Sequence, residues 1–289
     1  MRIVSLVPAA TEMAAALGAG TELVAVTHDC DYPASVRALP RITRSTIPVG
    51  ARSRDIDTLV RSAGERGEST FHLDAAALRD AQPDVILGQT LCEVCAVTLD
   101  QVPRDLPHPP EVVPLDASSL EGVFEDIRHV AAALGRPREG ERLVADLRAR
   151  LARVHARVSA RPRPRVACLE WLDPLFNGGH WVPEQVQIAG GRDVLGAAGA
   201  KSREIEWADV SDARPDVVVL MPCGFDAERA LEEAADLVPR LRGLAARVYA
   251  VDGNAYFSRP GPRLVDGVEL LAAILHPEVY GADTRARAL

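Results

Sequence analysis

The chain has 289 residues, of which 47% are hydrophobic and 26% charged, with a formal net charge of −8. This length supports two domains with their own cores, the mixture is that of an ordinary soluble protein, and the acidic balance excludes a nucleic-acid partner. The longest apolar runs, such as 217–221, are strand-sized, so no membrane insertion is expected.

In chain order, a strand opens at Arg2 and exits at Pro8. Thr11 is the expected N-cap of the next helix, and Gly18 and Gly20 close it. A strand over 23–27 delivers His28, Cys30 and Tyr32 into a loop. Helices are predicted over 53–62 and 73–81, a strand over 85–88, a short helix over 97–106 and a strand over 112–115. The texture then becomes helical. Residues 118–134 are capped by Ser118 or Ser119, with Glu121 in the first turn. Residues 138–161 carry apolar positions at Leu143, Val144, Leu147, Leu151, Val154 and Val158, the spacing of one helix face. Strands return over 166–171, 217–221 and 248–251. A helix over 182–189 ends at Gly190 and Gly191, and a last amphipathic helix covers 263–275.

One short sentence occurs twice. AQPDVILGQ from Ala81 matches ARPDVVVLMP from Ala213. Each copy has an opening strand before it, RIVSLVP from Arg2 and RVACLEW from Arg165. Each has a strand ending in Asp after it, EVVPLDASS from Glu111 and RVYAVDGNA from Arg247. The expected fold is therefore α/β: two Rossmann-like lobes with mainly parallel sheets, joined by a long helical spine. The boundaries are an N-terminal lobe over 1–117, a spine over 118–161 and a C-terminal lobe over 162–289. A small ligand is expected in the cleft between such lobes, on the loops at the carboxyl ends of the strands. Those loops hold Tyr32, Phe176, Trp181, Phe225, Tyr256 and Phe257, half of the aromatic residues of the chain. Rings beside a few polar groups suit a large flat ligand.

This plan resembles the class III substrate-binding proteins of ABC importers, the helical-backbone metal-receptor type, and among them the cobalamin-binding proteins. The resemblance covers nearly the whole chain. It rests on RIVSLVPAATE at Arg2, VAVTHDCDYP at Val24, PDVILG at Pro83, LDASSLE at Leu115, DPLFNGGHWVPEQV at Asp173 and YFSRPGPRLVDG at Tyr256. It implies a non-enzymatic protein that holds a corrinoid such as cobalamin. Tyr32 would pack on the corrin and Phe176 would line the opposite wall. Trp181, Tyr256 and Arg259 would complete the second-lobe side, with Arg259 reaching polar edges of the ligand. The implied partner is an importer permease, engaged through one acidic residue on each lobe: Asp55 or Asp57 could serve on the first, while the matching helix of the second is shortened around Ser211 and Asp212.

The five cysteines are Cys30, Cys92, Cys95, Cys168 and Cys223, an odd count that argues against a disulfide framework. Cys168 lies inside an apolar strand and reads as a small core residue. Cys92 and Cys95 form a C-x-x-C that could chelate a metal ion or act as a redox pair. With Cys30 and His180 they make the alternative reading, a metal or metal-cluster protein using thiolates and imidazole. His180, flanked by Gly178 and Gly179, is the imidazole expected at the ligand, and Cys30 is expected beside it. Neither a G-x-G-x-x-G nor a G-x-S-x-G motif is present, so nucleotide binding and acyl hydrolysis lack support. Met1 leads directly into a strand with no basic start or apolar leader, and a cytoplasmic location is expected on that ground, or a periplasmic or extracellular one if a leader was trimmed.

Overall fold

Arg2 and Arg165 open the two main sheets, and both are held by the same device. The backbone N–H of Arg2 donates to the Asp84 carboxylate at 2.7 Å, and that of Arg165 to Asp216 at 2.8 Å. The Arg2 guanidinium donates to the carbonyls of Ala81 and Gln82 at 2.8 and 3.2 Å, and that of Arg165 to those of Ala213 and Arg214 at 3.1 Å each. Gln82 and Arg214 are left-handed, with φ of 44° and 42°. The prolines that follow, Pro83 and Pro215, cannot continue a helix. The duplicated sentence is thus one physical motif used twice: a helix stop, a turn, and an Asp that anchors the first strand of its sheet.

The computed structural model describes residues 1–90, 97, 99–106 and 108–289. They fall into two compact units. The first comprises Met1–Ala51, Asp55–Ala117 and Glu121–Asp146, and the second Arg52–Arg54, Ser118–Leu120 and Leu147–Leu289.

The sheet of the first unit is parallel throughout. Its order is Leu23–Ala25, Ile3–Ser5, Val85–Gln89, Glu111–Leu115. Val4, Leu6, Ala25, Ile42, Leu78 and Ile86 form a core cluster on it. The first helix, Pro8–Ala16, starts one turn earlier than expected. Pro8 occupies its first position, where a missing N–H costs nothing. Val7 is the N-cap, and Thr11 lies inside the helix with its hydroxyl directed at the Val7 carbonyl. The expected helix over 97–106 is replaced, among the described residues, by a 3₁₀ turn at Leu99–Gln101. Pro103 denies a longer helix one of its donors. A small antiparallel pair, Thr43–Ser45 with Phe71–Leu73, was not legible in the sequence, because three-residue strands show no periodicity.

The helices Leu120–Ala133 and Pro137–Val158 supply the long helical segment of the chain. Val144, Leu147, Leu151, Val154 and Val158 are buried along the second of these, as the spacing predicts. That helix belongs to the first unit through Asp146 and to the second from Leu147.

The second sheet runs Arg287–Ala288, Arg247–Ala250, Val217–Leu220, Arg165–Leu172, Leu175–Asn177, with Arg192–Asp193 beside Arg165–Leu172. Its central strands are parallel, while Leu175–Asn177 and Arg287–Ala288 are antiparallel edges. Ala167, Leu169, Val218, Leu220, Val248 and Ala250 form its core. The helix Leu264–Leu275 is buried along most of its length. Among the described residues no helix is long and apolar enough to cross a membrane.

Candidate ligand-binding site

In parallel sheets the loops at the strand carboxyl ends present ligand-binding groups. In the first unit the strand Leu23–Ala25 leads into residues 27–33. Cys30 is 1% exposed, and its Sγ lies 3.1 Å from the Thr11 hydroxyl and 3.2 Å from that of Thr27. Arg41 donates to the carbonyls of Thr27 and Cys30 at 2.7 and 2.6 Å. Cys30 therefore pins the loop to the first helix from inside the unit. His28 contacts the Thr43 hydroxyl through Nδ1 at 2.7 Å and stacks on Phe71 at 5.6 Å. On this anchored base Tyr32 stands 49% exposed.

In the second unit the loop 178–181 is held at every residue. Gly178 donates to the Cys168 carbonyl at 2.9 Å and Gly179 to the Glu170 carboxylate at 3.1 Å. His180 donates its backbone N–H to Ala200 at 2.6 Å and accepts from Gly199 at 2.9 Å. Asn177 braces the neighbouring chain, donating to the Gly178 and Leu195 carbonyls and accepting from the Arg203 N–H. A Cβ on Gly179 would lie 2.2 Å from the Ser202 nitrogen, so only glycine fits.

His180 itself is left-handed, with φ of 52°. Its ring stacks on Trp181 at 5.5 Å, and its Nδ1 is buried with no hydrogen-bond partner among the described residues. Burial first, and the Lys201 charge second, push its pKa below the ordinary histidine value. Both effects favour the neutral imidazole, the form in which a ring nitrogen can coordinate or accept a hydrogen bond.

Trp181 is 3% exposed and donates its indole N–H to the Phe257 carbonyl at 2.7 Å. Gln185 donates to the carbonyls of Tyr256 and Leu264 at 3.1 and 2.8 Å. Together they clamp the segment after Gly253–Tyr256. The Tyr256 ring is partly exposed, with the Arg263 and Arg285 guanidinium carbons 6.0 and 5.4 Å from its centroid. Arg259 is 7% exposed. Its charge acts on Asp252, whose pKa burial raises while the Ala255 N–H, Arg263 and Arg259 oppose the rise. Phe176 sits on Leu175–Asn177 opposite Trp171, partly exposed.

The structure thus gathers His180, Trp181 and Tyr256 about one clamped loop pair. Tyr32, Phe176, His180 and Tyr256 are the candidates with accessible side-chain surface, while Cys30, Trp181 and Arg259 are packed beneath. Phe225 and Phe257 are also buried, at 2% and 3%. Sequence reasoning missed Gln185 and Asn177. Their only signal is a polar side chain in an otherwise apolar stretch.

The metal reading draws no support. Among the described residues no group of three or more His, Cys, Asp or Glu side chains is placed to hold a metal ion. Cys30 is taken up by hydroxyl contacts, and Cys92 and Cys95 lie outside the described residues.

The model of the periplasmic binding protein family matches residues 3–246. The chain belongs to that family. As a member it is a binding protein, and its fold is that of the solved periplasmic binding proteins named below. Its relatives include the vitamin B12-binding protein of Vibrio vulnificus, 22% identical over 93% of this chain and 87% of the relative. Another is the substrate-binding lipoprotein YvrC of Bacillus subtilis, 23% identical over 96% of this chain and 81% of the relative. Similar solved structures include a periplasmic heme-binding protein from Pseudomonas aeruginosa, with a TM-score of 0.74 and 22% identity over 99% of this chain and 97% of that one. The vitamin B12-binding protein BtuF of Vibrio cholerae has a TM-score of 0.62 and 20% identity over 95% of this chain and 96% of that one.

Family membership corrects the expected cytoplasmic location. Periplasmic binding proteins and lipoproteins of this kind work outside the cytoplasmic membrane. The expectation failed because residues 3–5 form a core strand, and a core strand reports on the fold without reporting on the compartment.

Proposed function

We propose that this family member captures a corrinoid, cobalamin or a close analogue, for delivery to an importer permease. Tyr32 of the first unit and Phe176 and Tyr256 of the second would supply apolar contact, worth about 25 cal/mol per Å² of surface removed from water. His180 would meet the ligand as a neutral imidazole, and Arg259 would support the Tyr256 loop from beneath. Asp55, exposed in the first turn of Ser53–Glu65, is the proposed contact to the permease on the first unit.

The observation that carries this reading is the full-length kinship to relatives named for vitamin B12 binding, combined with accessible rings on rigidly held loops. Titration of the purified protein with cyanocobalamin, followed by calorimetry and visible absorbance, tests it. The expected result is one site with a Kd below about 1 μM. Saturable hemin binding in the absence of cobalamin binding would transfer the site to a porphyrin.

A further inference from the structure

A cavity of about 460 Å³ is cut into the second unit. It lies where the end of the helix Pro137–Val158 meets the helix Leu264–Leu275 and residues 280–285. Its lining carries four arginines, Arg150, Arg153, Arg157 and Arg285, against two carboxylates, Glu269 and Asp283. In a chain of net charge −8 this is a local reversal of sign.

Both carboxylates are already engaged. Arg150 donates to Glu269 at 2.9 and 2.7 Å and also pairs with Asp266. Arg285 donates to Asp283 at 2.7 Å. Arg157 is fixed by other means: it donates to the Val279 carbonyl at 2.8 Å and lies 4.2 Å from the centre of the Tyr280 ring. The lining therefore offers Arg153 and Arg157 no carboxylate of their own. Tyr280 adds a buried hydroxyl with no hydrogen-bond partner among the described residues. Guanidinium groups suit carboxylate and phosphate oxyanions, because their paired N–H donors match two oxygens at once, and the held Arg157 loses little freedom on binding. Val154 and Ala273 make part of the wall apolar, and the volume is that of a small-molecule site.

We propose that this cavity binds a small multivalent oxyanion, of the diphosphate or polycarboxylate class. Arg153 and Arg157 grip its charged end, and the Tyr280 hydroxyl is the added donor. The proposal stands independently of the corrinoid reading.

Calorimetric titration at low salt with inorganic pyrophosphate, and separately with citrate, tests it. The expected result is saturable one-site binding of at least one probe, weakened about tenfold or more by Arg153→Ala and by Arg157→Lys. Arg153 is exposed, so Arg153→Ala should leave the melting temperature unchanged. Pyrophosphate binding alone assigns the site to phosphates, and citrate binding alone assigns it to carboxylates. Lack of saturation by either probe at about 10 mM, or binding that both variants leave intact, overturns the proposal.

Discussion

The indole nitrogen of Trp181 donates to the carbonyl oxygen of Phe257 at 2.7 Å, across 76 positions of sequence. This bond, with those of Gln185, makes the His180 loop and the Tyr256 loop one mechanical piece. Trp181 is thereby a brace beneath the surface, and the partly exposed His180 and Tyr256 are carried on the two loops it joins.

Trp181→Phe keeps a ring and removes the donor, leaving the buried Phe257 carbonyl without its partner. A loss of about 1–3 kcal/mol is expected in chemical denaturation. Ligand affinity should fall with it, since the loop bearing Tyr256 loses an anchor.

Tyr32→Ala is expected to behave in the opposite way. The side chain is 49% exposed, so its removal should shift the melting temperature by little. Ligand affinity should fall about tenfold by calorimetry, as truncation of an aromatic contact does.

Gly179→Ala places a methyl group 2.2 Å from the Ser202 backbone nitrogen. The chain near Lys201 must move, and His180 moves with it. A destabilisation above about 2 kcal/mol is expected, together with a changed histidine titration by NMR.

Asp126 governs a pH effect. It is 6% exposed and accepts the Ala117 N–H at 3.2 Å. Burial, opposed by the N–H bonds of Ala117 and Asp116, pushes its pKa from 3.8 up to about 6. The folded state therefore holds this proton more tightly than the unfolded chain. The stabilisation is fully present below pH 4 and is lost as pH rises through about 6. Asp126→Asn should remove that dependence. Relative to the parent, the variant should gain on the order of 1–3 kcal/mol between pH 4 and pH 7 in urea titrations at each pH.

Asp84→Ala and Asp216→Ala test the duplicated anchor. Each removes the acceptor of a strand-opening N–H, at 2.7 and 2.8 Å. Each should destabilise by about 1–2 kcal/mol in thermal unfolding, with similar size because the surrounding bonds are the same.

The sequence by itself determined the α/β alternation, the long helix with its buried stripe from Val144 to Val158, and the duplication around Pro83 and Pro215. These are local properties, set by periodicity and by residues such as proline that act on their immediate neighbours. It placed the first helix one turn late, because Pro8 and Thr11 are both credible starts and only the backbone chooses. It could not distinguish Tyr32, which is exposed, from Trp181, which is buried, although both are aromatic residues at strand exits. That difference depends on partners such as Phe257, and on Leu264 for Gln185, 76 and 79 positions away. The Arg153 cavity likewise exists only because a helix, its neighbour and the segment 280–285 meet in space. Burial and partnership arise from long-range packing, and in this chain they decided which of these side chains are exposed and which are packed away.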